Sequence, residues 1–160
     1  MPRELTKNFK LEVDEKEEEF KIQKMNSFDG AYLMKFVSEK AMPLLKALAV
    51  RMNKDGEGLK KVESLEMIGD SLTHLLESLD REDMKTLMMM CLQTVSIYLP
   101  AGYQEVLDEN GNFGVQNLEY NAAVCLRLTY EVIVFNCASF FEESGLSSSL
   151  GSLLGSLQEQ

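Results

Sequence analysis

The block Gly69-Asp70-Ser71-Leu72 matches the nucleophile segment of one class of esterases and lipases, and the only histidine, His74, follows three residues after the serine. A serine nucleophile needs a sharp strand-to-helix turn, an oxyanion hole, and a histidine base that a carboxylate orients. Here the block lies within an amphipathic helical pattern, without a glycine-rich segment for the oxyanion hole. We therefore expect no enzymatic activity. Ester turnover that is lost on Ser71→Ala would contradict this expectation.

Two segments partly match a calcium-binding loop, which needs oxygen ligands at positions 1, 3, 5 and 12 and glycine at position 6. The segment that begins at Asp108 has these oxygen ligands, with Glu119 last, but places Phe113 where glycine is needed. The segment that begins at Asn53 has the glycine, Gly58, but ends in a serine. Each match fails at an essential position, so we expect no metal ion and no cofactor.

Ten methionines stand out, three of them consecutive as Met88-Met89-Met90. Three consecutive helical positions span about 200° of the helix surface, so these side chains cannot all face one core. Methionine is flexible and polarizable, which suits surfaces that accept several apolar partners. We assign Met88 to the core and predict Met89 and Met90 as partner-binding residues.

The formal net charge of the 160-residue chain is −10, from 16 basic and 26 acidic side chains. Residues 1–60 carry a net charge of +1 and residues 61–160 a net charge of −11. This balance argues against nucleic-acid binding and against an anionic membrane surface. The three cysteines lie among apolar neighbours without a C-x-x-C pair, which indicates buried, reduced thiols. Arg127 and Glu131 predict an ion pair on an exposed strip of a helix.

Periodicity and capping signals predict two hairpins and four helices. Alternation at 9–13 and 20–22, joined by 14–19, predicts a β-hairpin. Asn110-Gly111 predicts a second hairpin over 103–115. The first predicted helix begins at Asn26 or Ser27 and has a kink at Pro43. The second spans 59–79, the third runs from the cap Asp80 through Tyr98, and the fourth spans 118–142. The last is apolar nearly all round, as a central helix is.

These elements predict a mainly α fold, a single helical domain with a small N-terminal β-hairpin and a second candidate hairpin near 103–115. The domain is expected to span residues 1–143. Residues 144–160 are a low-complexity run of serine, glycine and leucine, which predicts a flexible tail.

The order of several segments resembles the phage tail assembly chaperone family. The similarity begins with Glu19-Phe20-Lys21-Ile22, Met25 and the helix start Asp29-Gly30-Ala31-Tyr32-Leu33. It continues with Leu79-Asp80-Arg81-Glu82-Asp83, a helix, and a strand pair around Phe113. It ends with Asn117-Leu118-Glu119-Tyr120, Leu126-Arg127-Leu128-Thr129-Tyr130-Glu131-Val132, Asn136 and Phe140-Phe141. The resemblance covers about residues 9–142 as a pattern of spacing and residue type.

The resemblance implies a small protein of the host cytoplasm that is absent from the mature virion. Proteins of this family bind the tape-measure protein, keep it soluble and help recruit tail-tube subunits. Many also occur in a longer, frameshifted form, whose extension would join near the tail at 144–160. The alternative is an acidic helical adaptor or a secretion-type chaperone for another protein. The sequence neither predicts nor excludes association of the chain with a second copy of itself.

Overall fold

The computed structural model describes residues 5–41 and 65–144, which form four strands and five helices. The strands are β1 Thr6–Val13, β2 Lys16–Gln23, β3 Val95–Leu99 and β4 Gly102–Glu105. The helices are α1 Ser27–Lys40, α2 Leu65–Ser78, α3 Arg81–Leu92, α4 Gln116–Glu119 and α5 Ala122–Ser144. The strands form one antiparallel sheet in the order β1-β2-β3-β4.

The predicted N-terminal hairpin is confirmed, with a tighter connection than the sequence indicated. Val13 pairs with Lys16, so only Asp14 and Glu15 form the turn. Both turn residues have positive φ, 52° and 67°. Two left-handed residues in a two-residue loop match the right-handed twist of the flanking strands. The strand β2 therefore begins at Lys16, four residues earlier than the predicted strand at 20–22.

The predicted helix from Asp80 through Tyr98 is wrong in its second half. The helix α3 ends at Leu92, and Val95–Leu99 is a strand that pairs with β2 on one side and β4 on the other. Val95 and Ile97 are buried, whereas Tyr98 is half exposed. This alternation, with β-branched residues on the buried face, is typical of a strand that covers a core with one face.

The fold is therefore a mixed α and β fold, and the prediction of a mainly α fold is wrong. The four-stranded sheet arises because β3 joins the N-terminal hairpin to β4, so the hairpin is part of the core layer. Phe20 and Ile22 of β2 lie opposite Ile97 and Val95, and all four side chains are buried. Pairing between residues that are so far apart in sequence leaves no local signal.

The second predicted hairpin, over 103–115, is confirmed only next to its turn, because residues 103–105 belong to β4. The strand β4 pairs with β3 across a two-residue loop, since Leu99 lies opposite Gly102. The Asn110-Gly111 turn closes only a single bridge, between Leu107 and Phe113. Gly111 adopts φ 85°, a conformation that glycine accommodates without strain.

The helix α5 is the centre of the helical layer. Its side chains are buried nearly all round between Cys125 and Cys137, and α3 packs along it. The sequence predicted this central role, although residues 116–119 form the separate short helix α4. The predicted caps are confirmed, because the Asn26 side chain accepts from the Asp29 N–H and Asp80 from the Asp83 N–H, each at 2.8 Å.

Other predicted features fall outside the described residues. These are the kink at Pro43, the glycine-rich break at 53–58, the first part of the helix predicted over 59–79, and the tail after Ser144.

Candidate partner-binding surface

The methionine run lies on α3, where Leu87, Cys91 and Leu92 face the core. Met88, Met89 and Met90 are all half-buried and pack against the core cluster. The ε-methyl of Met89 lies 2.7 Å from the position that a Cβ would occupy on Gly111, so this side chain fits beneath the 108–112 turn. The three methionines thus have a similar degree of burial, between full burial and full exposure. Their apolar atoms are only partly available to a partner.

Two aromatic side chains on α1 are much more accessible than the methionines. Phe28 is 87% exposed and Tyr32 is 50% exposed. At 100° per residue they share a helix face with Lys35 and Glu39, opposite the buried Leu33 and Val37. Large exposed apolar groups on a charged face are characteristic of binding surfaces. We call Phe28 and Tyr32 the α1 aromatic pair.

The sequence prediction missed this orientation of the α1 aromatic pair. Apolar spacing alone does not separate Phe28 and Tyr32 from the buried Phe36 of the same helix, since the three residues follow one another at intervals of four. The sequence signal for the exposure of this pair is the position of Lys35 and Glu39 on the same helix face, since two charged residues four positions apart indicate a solvent-facing stripe.

The outer face of the sheet carries a second, more polar group of aromatic side chains. Tyr98 and Tyr103 are directly paired across β3 and β4, with ring centroids 5.2 Å apart in an edge-on arrangement. The Lys21 ammonium lies 4.2 Å from the Tyr103 ring centroid. The amide of Asn8 donates to the Tyr103 hydroxyl at 3.1 Å. These contacts hold the tyrosines in place on the exposed side of the sheet.

The hydrolase block lies within the regular helix α2, so Ser71 does not occupy a strand-to-helix turn. His74 is exposed on the same helix. The chemistry of an activated serine needs a base whose other ring nitrogen is held by a carboxylate. The helical setting supplies neither the sharp turn nor the backbone N–H groups that an oxyanion hole would use.

In the partial calcium loop at 108–119, the carboxylate at position 1 stabilises a turn. The Asp108 side chain accepts from the N–H groups of Asn110 and Asn112, both at 2.9 Å. Glu119 lies in α4. Within residues 5–41 and 65–144, no three His, Cys, Asp or Glu side chains are grouped as a metal site. The related match that begins at Asn53 falls outside the described residues.

The three cysteines are free and buried, in the environment that the sequence predicted. Burial raises the pKa of the Cys91 thiol far above its usual range, and the nearby Cys137 raises it further. Burial likewise raises the pKa of Cys137 to about 12 and raises the pKa of Cys125. Since the thiolate is the reactive form, these groups act as small apolar side chains rather than nucleophiles.

The ion pair between Arg127 and Glu131 is confirmed, with 3.0 Å between Nε and Oε1, but its predicted exposure is wrong. Glu131 is only 9% exposed. Its other carboxylate oxygen accepts from the Lys7 ammonium of β1 at 3.2 Å. The carboxylate therefore lies between the sheet and α5, where two cations offset its burial.

Comparison with known proteins identifies the family. The family described as "Phage tail assembly chaperone protein, TAC" matches residues 16–148, which is most of the chain. The chain belongs to the phage tail assembly chaperone family. No curated protein and no solved structure is significantly similar to it.

The family match covers both layers of the chaperone. It begins at the start of β2 and extends through all five described helices, so the α1 aromatic pair and the methionine run both lie within it. The strand β1 lies before the matched region. In the described part of the chaperone, no helix has the length and apolar character needed to cross a membrane.

Proposed function

We propose that this tail assembly chaperone binds the tape-measure protein, keeps it soluble and helps recruit tail-tube subunits. The observation that carries the proposal is the family match over residues 16–148. The proposal includes action in the host cytoplasm, absence from the mature virion and no enzymatic activity. A chaperone of this kind acts by mass action, since it binds apolar segments that would otherwise associate with one another.

The α1 aromatic pair is the proposed primary contact for the tape-measure protein. An amphipathic helix can place its apolar side chains against Phe28 and Tyr32, which lie one turn apart on α1. Aromatic side chains provide a large contact area at a low entropy cost. We propose that Met89 and Met90 add contacts on α3, where their half-buried side chains can adjust to different apolar groups.

Co-expression with the tape-measure protein tests this proposal. The double variant Phe28→Ser/Tyr32→Ser removes both aromatic rings from the exposed face of α1, and it should fold with a small loss of stability, because the Tyr32 ring also lies 6.4 Å from the Phe36 ring. We expect it to leave most of the tape-measure protein in the insoluble fraction. The matched control is Tyr120→Ser, because Tyr120 is an 81% exposed aromatic residue on a different part of the chain. This control should keep the partner soluble.

A second double variant, Met89→Gln/Met90→Gln, keeps side-chain length while it reduces apolar contact. It should weaken solubilisation less than the α1 variant does, because these side chains are half-buried. Circular dichroism of each variant checks that it is folded. A wild-type chain that never solubilises the tape-measure protein, yet binds another protein of the infected cell, would favour the adaptor or secretion-type chaperone instead.

A further inference from the structure

The strand β1 forms an edge of the described sheet, and its backbone groups alternate in direction. The Leu5 carbonyl accepts from the Lys24 N–H at 2.8 Å, so Leu5 faces β2. In an antiparallel pair, residues that face the neighbouring strand alternate with residues that face away. The N–H and C=O groups that point to the free edge are therefore those of Thr6, Asn8, Lys10 and Glu12.

The charges along this edge are arranged so that one copy complements another. Lys10 and Glu12 are two residues apart and both exposed, on the same side of the sheet. Glu12 lies directly opposite Glu17 within the hairpin, which is an unfavourable like-charge pair. The Lys10 ammonium reaches Glu17 at 3.5 Å rather than Glu12. A cation on the open side of β1 would therefore be favourable next to Glu12.

The other side of the same strand is apolar and incompletely covered. Phe9 and Leu11 point toward the core side of the sheet and are only half-buried. The Phe9 ring stacks against Phe20 at a centroid distance of 5.9 Å, which leaves its outer side at the edge. An additional strand at this edge would bury more apolar surface of both residues.

We propose that this edge pairs with β1 of a second copy of the chain, in antiparallel orientation about a two-fold axis. The proposed register places Lys10 of each copy opposite Glu12 of the other, with Leu11 opposite Leu11 on the axis. A shift of one residue in each copy would place either two lysines or two glutamates opposite each other, which is unfavourable. The result is a continuous eight-stranded sheet with a short, weak interface.

The acidic character of the chain does not oppose this arrangement locally. The excess of negative charge belongs to residues 61–160, whereas β1 contains two lysines and one glutamate. Lys10 and Glu12 complement the same two residues of an antiparallel second copy. This complementarity favours a second copy as the occupant of the edge.

Reversal of the charges gives a direct test by sedimentation equilibrium of the full chain over a range of concentrations. The wild type should show a concentration-dependent dimer. K10E and E12K should each raise the dimer dissociation constant at least about tenfold, since each places two like-charge pairs in the interface. The double variant K10E/E12K should restore the wild-type affinity. An equimolar mixture of K10E and E12K should form a heterodimer, because the two chains then present opposite charges.

Two controls on α1 match the charge changes of the test variants. Lys35→Glu and Glu39→Lys alter the net charge equally at exposed positions away from β1, and neither should change the dimer. Amide hydrogen exchange gives a second readout, since the Lys10 and Glu12 amides should become protected as concentration rises. A wild-type chain that stays monomeric overturns the proposal. So does a dimer that K10E and E12K leave intact, or edge amides that become protected only when a tail protein is added.

Discussion

The carboxylate of Glu131 lies between two cations, Arg127 on its own helix and Lys7 on β1. The spacing of four residues on one helix made the first partner predictable from the sequence. Lys7 lies 124 residues away from Glu131 in the chain, so nothing in the local sequence could identify it. The same contact explains why the carboxylate is buried, because β1 covers the helix at this point.

Replacement of Glu131 by alanine should lower the free energy of unfolding by about 1–3 kcal/mol. The loss is smaller than for a fully buried pair, because the Lys7 and Arg127 side chains remain 36% and 26% exposed and can turn to solvent. Urea denaturation measures the difference. The control is Glu39→Ala, which breaks an exposed pair with Lys35 and should cost at most about 0.5 kcal/mol. An equal effect of both variants would mean that Glu131 does not stabilise the contact between sheet and helix.

At the scale of elements, the sequence predicted those features that depend on near neighbours. The caps Asn26 and Asp80, the N-terminal hairpin and the central helix all depend on local spacing. The strand β3 could not be found in this way, because its alternating apolar residues follow α3 directly and also fit a continued helical pattern. The conformation of β3 depends on its pairing with Phe20 and Ile22, which the sequence around β3 does not indicate.

The geometry of the turn between β1 and β2 can be tested by substitution of a single residue. Glu15 has φ 67°, a left-handed conformation that costs a residue with a Cβ roughly 1 kcal/mol. Glu15→Gly should therefore raise the free energy of unfolding by about 0.5–1 kcal/mol. The control Glu17→Gly lies in an extended strand and should lower it instead. Thermal and urea denaturation of both variants give the comparison, and a loss of stability for Glu15→Gly would contradict the turn geometry.

At the scale of the whole molecule, a sheet and a layer of helices pack through their apolar faces in a chain of strongly acidic composition. The sequence established the charge and the family resemblance, and the match over residues 16–148 confirms the family. Partner-binding residues were harder to predict, because a sequence pattern does not distinguish an exposed apolar side chain from a buried one. Phe28 and Phe36 both fit the apolar pattern of α1, but only Phe36 reaches the core.

The net charge of −10 predicts how stability depends on salt. Most of the excess is in residues 61–160, so acidic side chains there repel one another in the compact state. At 0.15 M ionic strength the screening length is about 8 Å, which weakens this repulsion more than it weakens the partly buried Glu131 contacts. We therefore expect the melting temperature to rise by a few degrees between low salt and 0.3 M NaCl.

A charge variant separates this effect from a general influence of salt on protein solutions. Glu109 and Glu119 are exposed residues of the acidic part of the chain. Because each Glu→Lys substitution changes the net charge by two, Glu109→Lys/Glu119→Lys brings −10 to −6. This variant should melt at a higher temperature than the wild type in low salt and should respond less to added NaCl. If the wild type instead melts at a lower temperature as NaCl is added, favourable surface ion pairs outweigh the net repulsion.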